Sequence, residues 1–222
     1  MIEQMRQAMK ERHTVRQFDG TPLTEAEKRA IQTRVDELNK KYDLAIALIE
    51  SEKSPLSFLG KTLMSGKEVH SYFVLAGDDR ENIDEQLGYA GSDICLYSQM
   101  NGLNTWWMAG TFNRKFVGDQ VQGKKIVSII AVGHGKTQGV QHKSKSKDQV
   151  SSYEGEAPEW FNKGIEAALL APTALNMQAF TLTGKGDKVT LTYKSGPMSG
   201  IDKGIIKHHF ELGAGKENFE WA

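Results

Sequence analysis

Four short stretches of this 222-residue chain hold side chains whose types and spacing could do chemistry. RHTVR (12–16) supplies two guanidinium groups and a hydroxyl. Arginine makes planar, bidentate contacts to phosphate or to a polarised carbonyl, so Arg12 and Arg16 could grip two parts of one anionic ligand. HKSKSK (142–147) sets Lys143, Lys145 and Lys147 at every second position, which an extended segment would project to one side. A soluble linker would read the same way. In GLNTWWMAGTFN (102–113), Ala109 and Gly110 would let a ring system approach the backbone, where an amide could donate to a ring nitrogen. Trp106 and Trp107 equally suit an aromatic core plug. APTALNMQAF (171–180) boxes Thr173, Asn176 and Gln178 between apolar residues, an unusual place for hydrogen-bonding groups.

Two tempting motifs fail on spacing. AVGHGKT (131–137) runs towards a phosphate loop, but that loop needs a glycine where this chain has Ile130, and TQGVQHKSKSK does not open an amphipathic helix. His208 and His209 are adjacent, so on a helix they point about 100° apart and cannot share a metal. A satisfied or solvent-facing histidine is the expectation, and no metal site is predicted. Cys95 is the only cysteine, which excludes an intramolecular disulfide and a cysteine-built metal cluster.

Composition narrows the partners. With 28 basic and 28 acidic side chains the formal charge is zero, so no global field draws nucleic acid or an anionic membrane. At 39% hydrophobic residues the chain can bury a core as one domain or two tightly joined halves. The N-terminal stretch has no apolar run of signal-peptide length, and no run reaches the ~18 residues of a membrane span. A cytoplasmic setting, without export or membrane insertion, is expected.

The elements that must position these groups can be read from periodicity. A short helix ends near Lys10, with Ile2, Met5 and Met9 at helical spacing. Thr24 and Glu27 have capping-box spacing and open a helix with Ile31, Val35 and Leu38 on one face. Strands are expected over 43–50, 71–77 and 123–133. A helix over 81–102 carries Leu87, Ala90, Ile94, Tyr97 and Met100 near one stripe, with Gly and Ala for close packing. The segment after Gly133 is a linker or ligand loop. Pro158 then opens a helix, strands follow over 179–183 and 188–194, and a helix over 200–213 closes the order. Helix, strand and glycine-rich helix thus occur on both sides of the linker, the pattern of a diverged duplication.

Taken in order, RHTVRQF, GLNTWWMAG, VGHG followed by KSK, and APTALNMQAF resemble the signatures of the FMN-dependent nitroreductase family from about residue 8 onward. In the usual family member both the arginine and the Ala-Pro-Ser motifs lie near the N-terminus, and two subunits each contribute one of them to a flavin. Here the first motif sits only in the front half and the second only in the back half. The resemblance is therefore to an internally duplicated branch, a single-chain pseudo-dimer with halves of approximately 1–140 and 150–222 in one domain. It implies an α+β fold, a mixed sheet flanked by helices, and one FMN per chain, which a monomer satisfies.

The resemblance also implies roles. Arg12 and Thr14 match the positions that hold the FMN phosphate and ribityl chain, with His13 where Arg or His is usual. Lys143 and Lys145 match the basic pair that closes on the phosphate. Arg16 matches the cation beside flavin N1 and the C2 carbonyl, where reduction deposits negative charge. Gly110, with Ala109, matches the turn whose amide faces N5, and Pro172, Thr173, Ala174 and Asn176 match the segment packed on the ring. Thr173 replaces the customary serine, and Ala179 with Phe180 replaces Pro-Trp. The implied activity is NAD(P)H-dependent reduction of nitroaromatics or quinones without a protein nucleophile. An FMN-binding protein without turnover and a related flavin enzyme of other chemistry are the alternatives.

Overall fold

The computed structural model describes residues 1–62 and 65–222. In chain order it contains α1 (Ile2–Glu11), α2 (Glu25–Tyr42), β1 (Ala47–Glu50), α3 (Phe58–Thr62), β2 (Ser71–Gly77), α4 (Ile83–Met100), β3 (Asn104–Met108), α5 (Arg114–Gly118), β4 (Lys125–Gly133), α6 (Lys147–Val150), β5 (Ser151–Tyr153), α7 (Glu159–Ala168), β6 (Phe180–Lys185), β7 (Lys188–Tyr193), α8 (Ser199–Ala214) and β8 (Glu220–Trp221). The class is α+β as expected, with the strands divided between two four-stranded sheets. By contacts the chain forms two compact units. A central unit comprises Glu11–Ile83 and Asp93–Gln141; a terminal unit comprises Met1–Lys10, Asp84–Ser92 and His142–Ala222.

In the central unit the sheet order is β1-β2-β4-β3, antiparallel throughout. The Val, Ile and aromatic runs of β2 and β4 suit a strand covered on both faces: β2 is buried at all seven positions, and β4 at its last seven. Tyr72, Val74, Ile129 and Ala131 from this pair meet Phe18, Trp106 and Met108 in one cluster. Helix α2 starts where its capping box predicts, with the Thr24 hydroxyl accepting from the Glu27 amide and the Glu27 carboxylate from the Thr24 amide. Its buried face is Ile31, Val35 and Leu38. Arg34 then makes a two-point ion pair with the buried Asp93 of α4, Nε to Oδ1 at 2.7 Å and a terminal nitrogen to Oδ2 at 2.6 Å.

In the terminal unit the order is β5-β6-β7-β8, an antiparallel hairpin with one parallel strand on each side. Burial of β6 alternates strictly, leaving Thr181, Thr183 and Lys185 exposed, so one face of this sheet is open. Two helix crossings depend on glycine. A Cβ at Gly164 of α7 would come within 2.5 Å of the Phe210 ring of α8. Where the first turns of α4 cross α8, a Cβ at Gly88 would overlap the Ile201 carbonyl oxygen, and one at Gly204 the Glu85 carbonyl oxygen. The close packing that the Gly and Ala content of α4 suggested is therefore realised by reciprocal glycines.

His208 and His209 are both buried rather than solvent-facing, and the Nδ1 of each lies close to the Ser92 hydroxyl, at 2.9 and 3.0 Å. In α1 the inward face is Met5, Ala8 and Met9, whereas Ile2, expected on the same stripe, is exposed. One turn before Met5, at the end of the helix, it gains no covering neighbour.

Candidate functional site

The candidate residues fall into two groups, one in each unit. In the central unit, the RHTVR segment leaves α1 and runs beside β3. The Val15 amide donates to the Thr105 carbonyl at 3.1 Å, and Thr14 bridges Thr105 in parallel. This pairing fixes the direction of the arginines. Arg12 points inward and is only 6% exposed, whereas Arg16 is exposed and holds its guanidinium 6.0 Å from the Trp106 ring centroid.

Arg12 is electrostatically unusual. Among the described residues its guanidinium makes no ion pair with a carboxylate, and burial pushes its pKa below the usual arginine value, with Cys95 acting in the opposite sense. A buried cation without an anion is costly, since desolvation of several kcal/mol is left uncompensated.

Gly110 closes this group. It follows β3 and is exposed, and a Cβ built there would meet nothing within 4 Å, so no packing contact requires a glycine at this position. Ala109 is half-buried, and its carbonyl accepts from Arg114 at 3.1 Å. His13 is half-buried beside Gly139. The rejected phosphate-loop amides are occupied by the protein itself: Gly135 N–H donates to Asn104 Oδ1 at 3.0 Å and Lys136 N–H to the Gln17 carbonyl at 3.0 Å.

In the terminal unit two loops are tied together. Asn176 Nδ2 donates to the Lys143 carbonyl at 2.7 Å. Gln178, 1% exposed, accepts the Lys145 amide at 2.7 Å, donates to the Leu169 carbonyl at 2.9 Å, and offers its own carbonyl to Lys145 Nζ at 2.7 Å. Thr173 Oγ1 accepts from the Gln178 amide at 3.1 Å. The structure therefore brings Lys143, Lys145, Thr173 and Asn176 together, with Pro172 and Ala174 in the same turn. The two lysines differ: the Lys145 ammonium is spent on the loop, and that of Lys143 meets no acceptor among the described residues.

The turn is strained. Leu175, Asn176 and Gln178 have φ of 51°, 54° and 45°, a left-handed conformation that asparagine tolerates and a leucine resists. Such residues persist where surrounding bonds over-determine them. Here Gln178 supplies one anchor. Asp202 supplies the other, accepting the Ala174 amide at 3.1 Å on both oxygens and the hydroxyl of Tyr193. Burial raises the Asp202 pKa against the opposing effect of these donors.

Sequence reasoning missed Gln178 and Asp202 as supports. Gln178 stood in view as part of the polar cluster in APTALNMQAF. Asp202 carries no local signal beyond an acid in the first turn of α8.

No curated protein matches the chain, and the solved structures give the fold. One named a "putative nitroreductase" from Thermotoga maritima aligns with 21% identity over 96% of this chain and 84% of its own, at a TM-score of 0.65. A "putative nitroreductase" from Exiguobacterium sibiricum, in complex with FMN, aligns at 11% identity, covering 65% and 94%, with a TM-score of 0.53. A "putative NAD(P)H:FMN oxidoreductase" from Staphylococcus epidermidis aligns at 15%, covering 66% and 93%, with a TM-score of 0.51. The family model described as "Putative TM nitroreductase" matches residues 4–214, almost the whole chain, and the protein belongs to that nitroreductase family.

Proposed function

We propose that this chain is an FMN-dependent oxidoreductase that uses NAD(P)H to reduce small electron-poor compounds such as nitroaromatics and quinones. The observation that carries the reading is Arg12, a buried guanidinium that makes no ion pair among the described residues, in a family whose structural relatives include an FMN complex. A phosphate dianion is the kind of partner such a group lacks, and charge-assisted bonds to it would offset the burial. The open surroundings of Gly110 suit the approach of a planar ring.

Bound FMN would supply two-electron transfer between donor and acceptor. The chain's own groups do the rest. In the central unit Arg12, with the Thr14 hydroxyl and His13, would hold the phosphate end; in the terminal unit Lys143 and Lys145 supply positive charge. Arg16 is the exposed cation that would face the polar ring edge that gains negative charge, and the backbone at Ala109 and Gly110 would contribute an amide without a side chain in the way. Pro172, Thr173, Ala174 and Asn176 form a preshaped wall, held by Gln178 and Asp202 and so poised without the ligand's help. No nucleophilic side chain is required. The lone buried Cys95 fits a reducing, cytoplasmic setting, and the single set of complementary motifs fits one FMN in a monomeric chain.

Steady-state oxidation of NADH and NADPH with menadione or a nitrobenzoate tests the reading. Turnover dependent on added FMN is expected. A protein that binds FMN but oxidises neither nucleotide would be a flavin binder instead, and products other than a reduced acceptor would mark different flavin chemistry.

A further inference from the structure

The central unit presents an apolar feature that the assignments above leave unused. Helix α3 is five residues long, yet Phe58 and Leu59 on it are 80% and 48% exposed. Among the described residues neither side chain is covered by the unit's own core. Its position is not loose. Leu56 pairs with Phe112 in an antiparallel bridge, Asn113 N–H donates to the Pro55 carbonyl at 2.8 Å, and Ser57 donates to the Thr111 carbonyl twice, from its amide at 3.0 Å and its hydroxyl at 2.8 Å. Gly60 lies so close to Thr111 that a Cβ would overlap its carbonyl oxygen. Thr111 directly follows Gly110. Gly66 in turn packs against Trp106, where a Cβ would stand 2.6 Å from the indole. The backbone that carries these two exposed apolar side chains is thus pinned beside the turn proposed for the flavin ring.

We infer that Phe58, seconded by Leu59, is the platform that receives the acceptor, and that it selects planar aromatic acceptors over compact or non-aromatic ones. The occupant follows from size and chemistry. Two side chains on one turn of helix are far too little for a protein interface, which needs about 800 Å² on each side. They suit one aromatic ring, for which an offset or edge-on partner ring adds to simple burial. The inference rests on the FMN reading, because Gly110 defines the place where the acceptor must lie.

The test needs no turnover. Menadione is titrated into the oxidised, FMN-loaded protein, with the flavin spectrum as readout and FMN affinity measured in parallel. Phe58→Ala is expected to weaken menadione binding about tenfold, equivalent to about 1.4 kcal/mol, and to leave FMN affinity within about twofold, since aromatic contacts of this size act on the acceptor alone. Phe58→Trp should bind menadione like the wild type. In turnover, the kcat/KM of Phe58→Ala for menadione should fall about tenfold more than that for ferricyanide, by the same contact. Equal menadione affinity in Phe58→Ala and wild type would overturn the inference. So would parallel loss of FMN, which would place the ring in the cofactor site. A wild-type protein that takes up no FMN would fail at the earlier step and overturn the flavin reading together with this one.

Discussion

The two sheets have equal numbers of strands and treat their polar groups differently. In the central unit β2 and β4 are sealed on both faces, and several buried side-chain atoms there, the Tyr72 and Ser98 hydroxyls among them, have no hydrogen-bond partner among the described residues, while the buried Arg12 guanidinium makes no ion pair among them. Burial alone drives the Tyr72 pKa up to about 12. In the terminal unit β6 keeps one wet face, and its most buried functional side chains are tied several times over, Gln178 to Lys145 and Leu169, Asp202 to Ala174 and Tyr193, Glu211 to Tyr89 and Trp221. One unit buries a cation that makes no ion pair among the described residues; the other holds a strained turn already braced. Ligand energy should therefore be read mainly at the central group, and preorganisation at the terminal one.

Replacing Arg12 with methionine gives the largest expected effect. FMN affinity should fall by about 100-fold or more, since two charge-assisted hydrogen bonds are worth roughly 1.5–3 kcal/mol each. Without FMN the same variant should be more resistant to urea than the wild type, because an uncompensated buried charge is replaced by an apolar chain of similar reach. Loss of stability in the absence of FMN would mean that Arg12 is a structural group, and the contrast between the units would collapse.

Next comes a pair of glycines. Gly204→Ala forces a methyl into the Glu85 carbonyl where α4 crosses α8, and should cost about 1–3 kcal/mol by overpacking. Gly110→Ala meets no neighbour within 4 Å and should leave unfolding of the FMN-free protein within about 0.5 kcal/mol. Urea midpoints for the two variants measure the difference between a glycine kept for packing and one kept for a ligand.

Tyr72→Phe is a smaller test of the sealed sheet. Removing a buried hydroxyl that has no partner should raise stability by up to about 1 kcal/mol; a fall of that size would reveal an acceptor that the geometry does not show.

The smallest effect concerns pH. Burial opposes the charge on His134, but its 3.0 Å bond to Glu27 and the Thr21 carbonyl prevail and raise its pKa above the usual 6.5. Glu27 is also pushed up by burial, and the Thr24 cap and His134 outweigh this and lower it below 4.5. The histidine contribution is therefore complete below pH 6.5 and lost as pH rises through the folded value. The glutamate contribution is present above pH 4.5 and lost as pH falls through its own. Glu27→Gln preserves a capping residue and removes the charge, so the decline of melting temperature from pH 6 to 8 should flatten. An unchanged slope would assign that decline to other groups.

These contrasts bear on what could be read from the sequence. The sealed strands β2 and β4 announce themselves as apolar runs, and α2 by its capping box, because those signals are local. Strand β3 escaped as a strand: NTWWM has two tryptophans between a polar start and a glycine turn, and its extended form comes from pairing with β4, Trp106 opposite Ala131. The three-residue β5 and two-residue β8 exist only through parallel partners β6 and β7, distant in sequence or separated by a helix. At the site, residue types were legible and environments were not. RHTVR shows two arginines, but only the Thr14–Thr105 pairing buries one and exposes the other. KSK shows two lysines, but Gln178 occupies one of them. Glycines 88 and 204 showed only that close packing was possible, and which helix they would meet required the fold.

On the proposed function, the buried Arg12 pairs with the phosphate of FMN and the bound flavin is redox-active. The most direct measurement is the absorbance spectrum of protein purified with added FMN and freed of excess, before and after addition of NADH or NADPH without oxygen. A stoichiometric yellow complex, one FMN per chain, that is bleached by at least one nucleotide and recolours on addition of menadione is the expected result. Colourless protein, or a bound flavin that neither nucleotide bleaches, would contradict it.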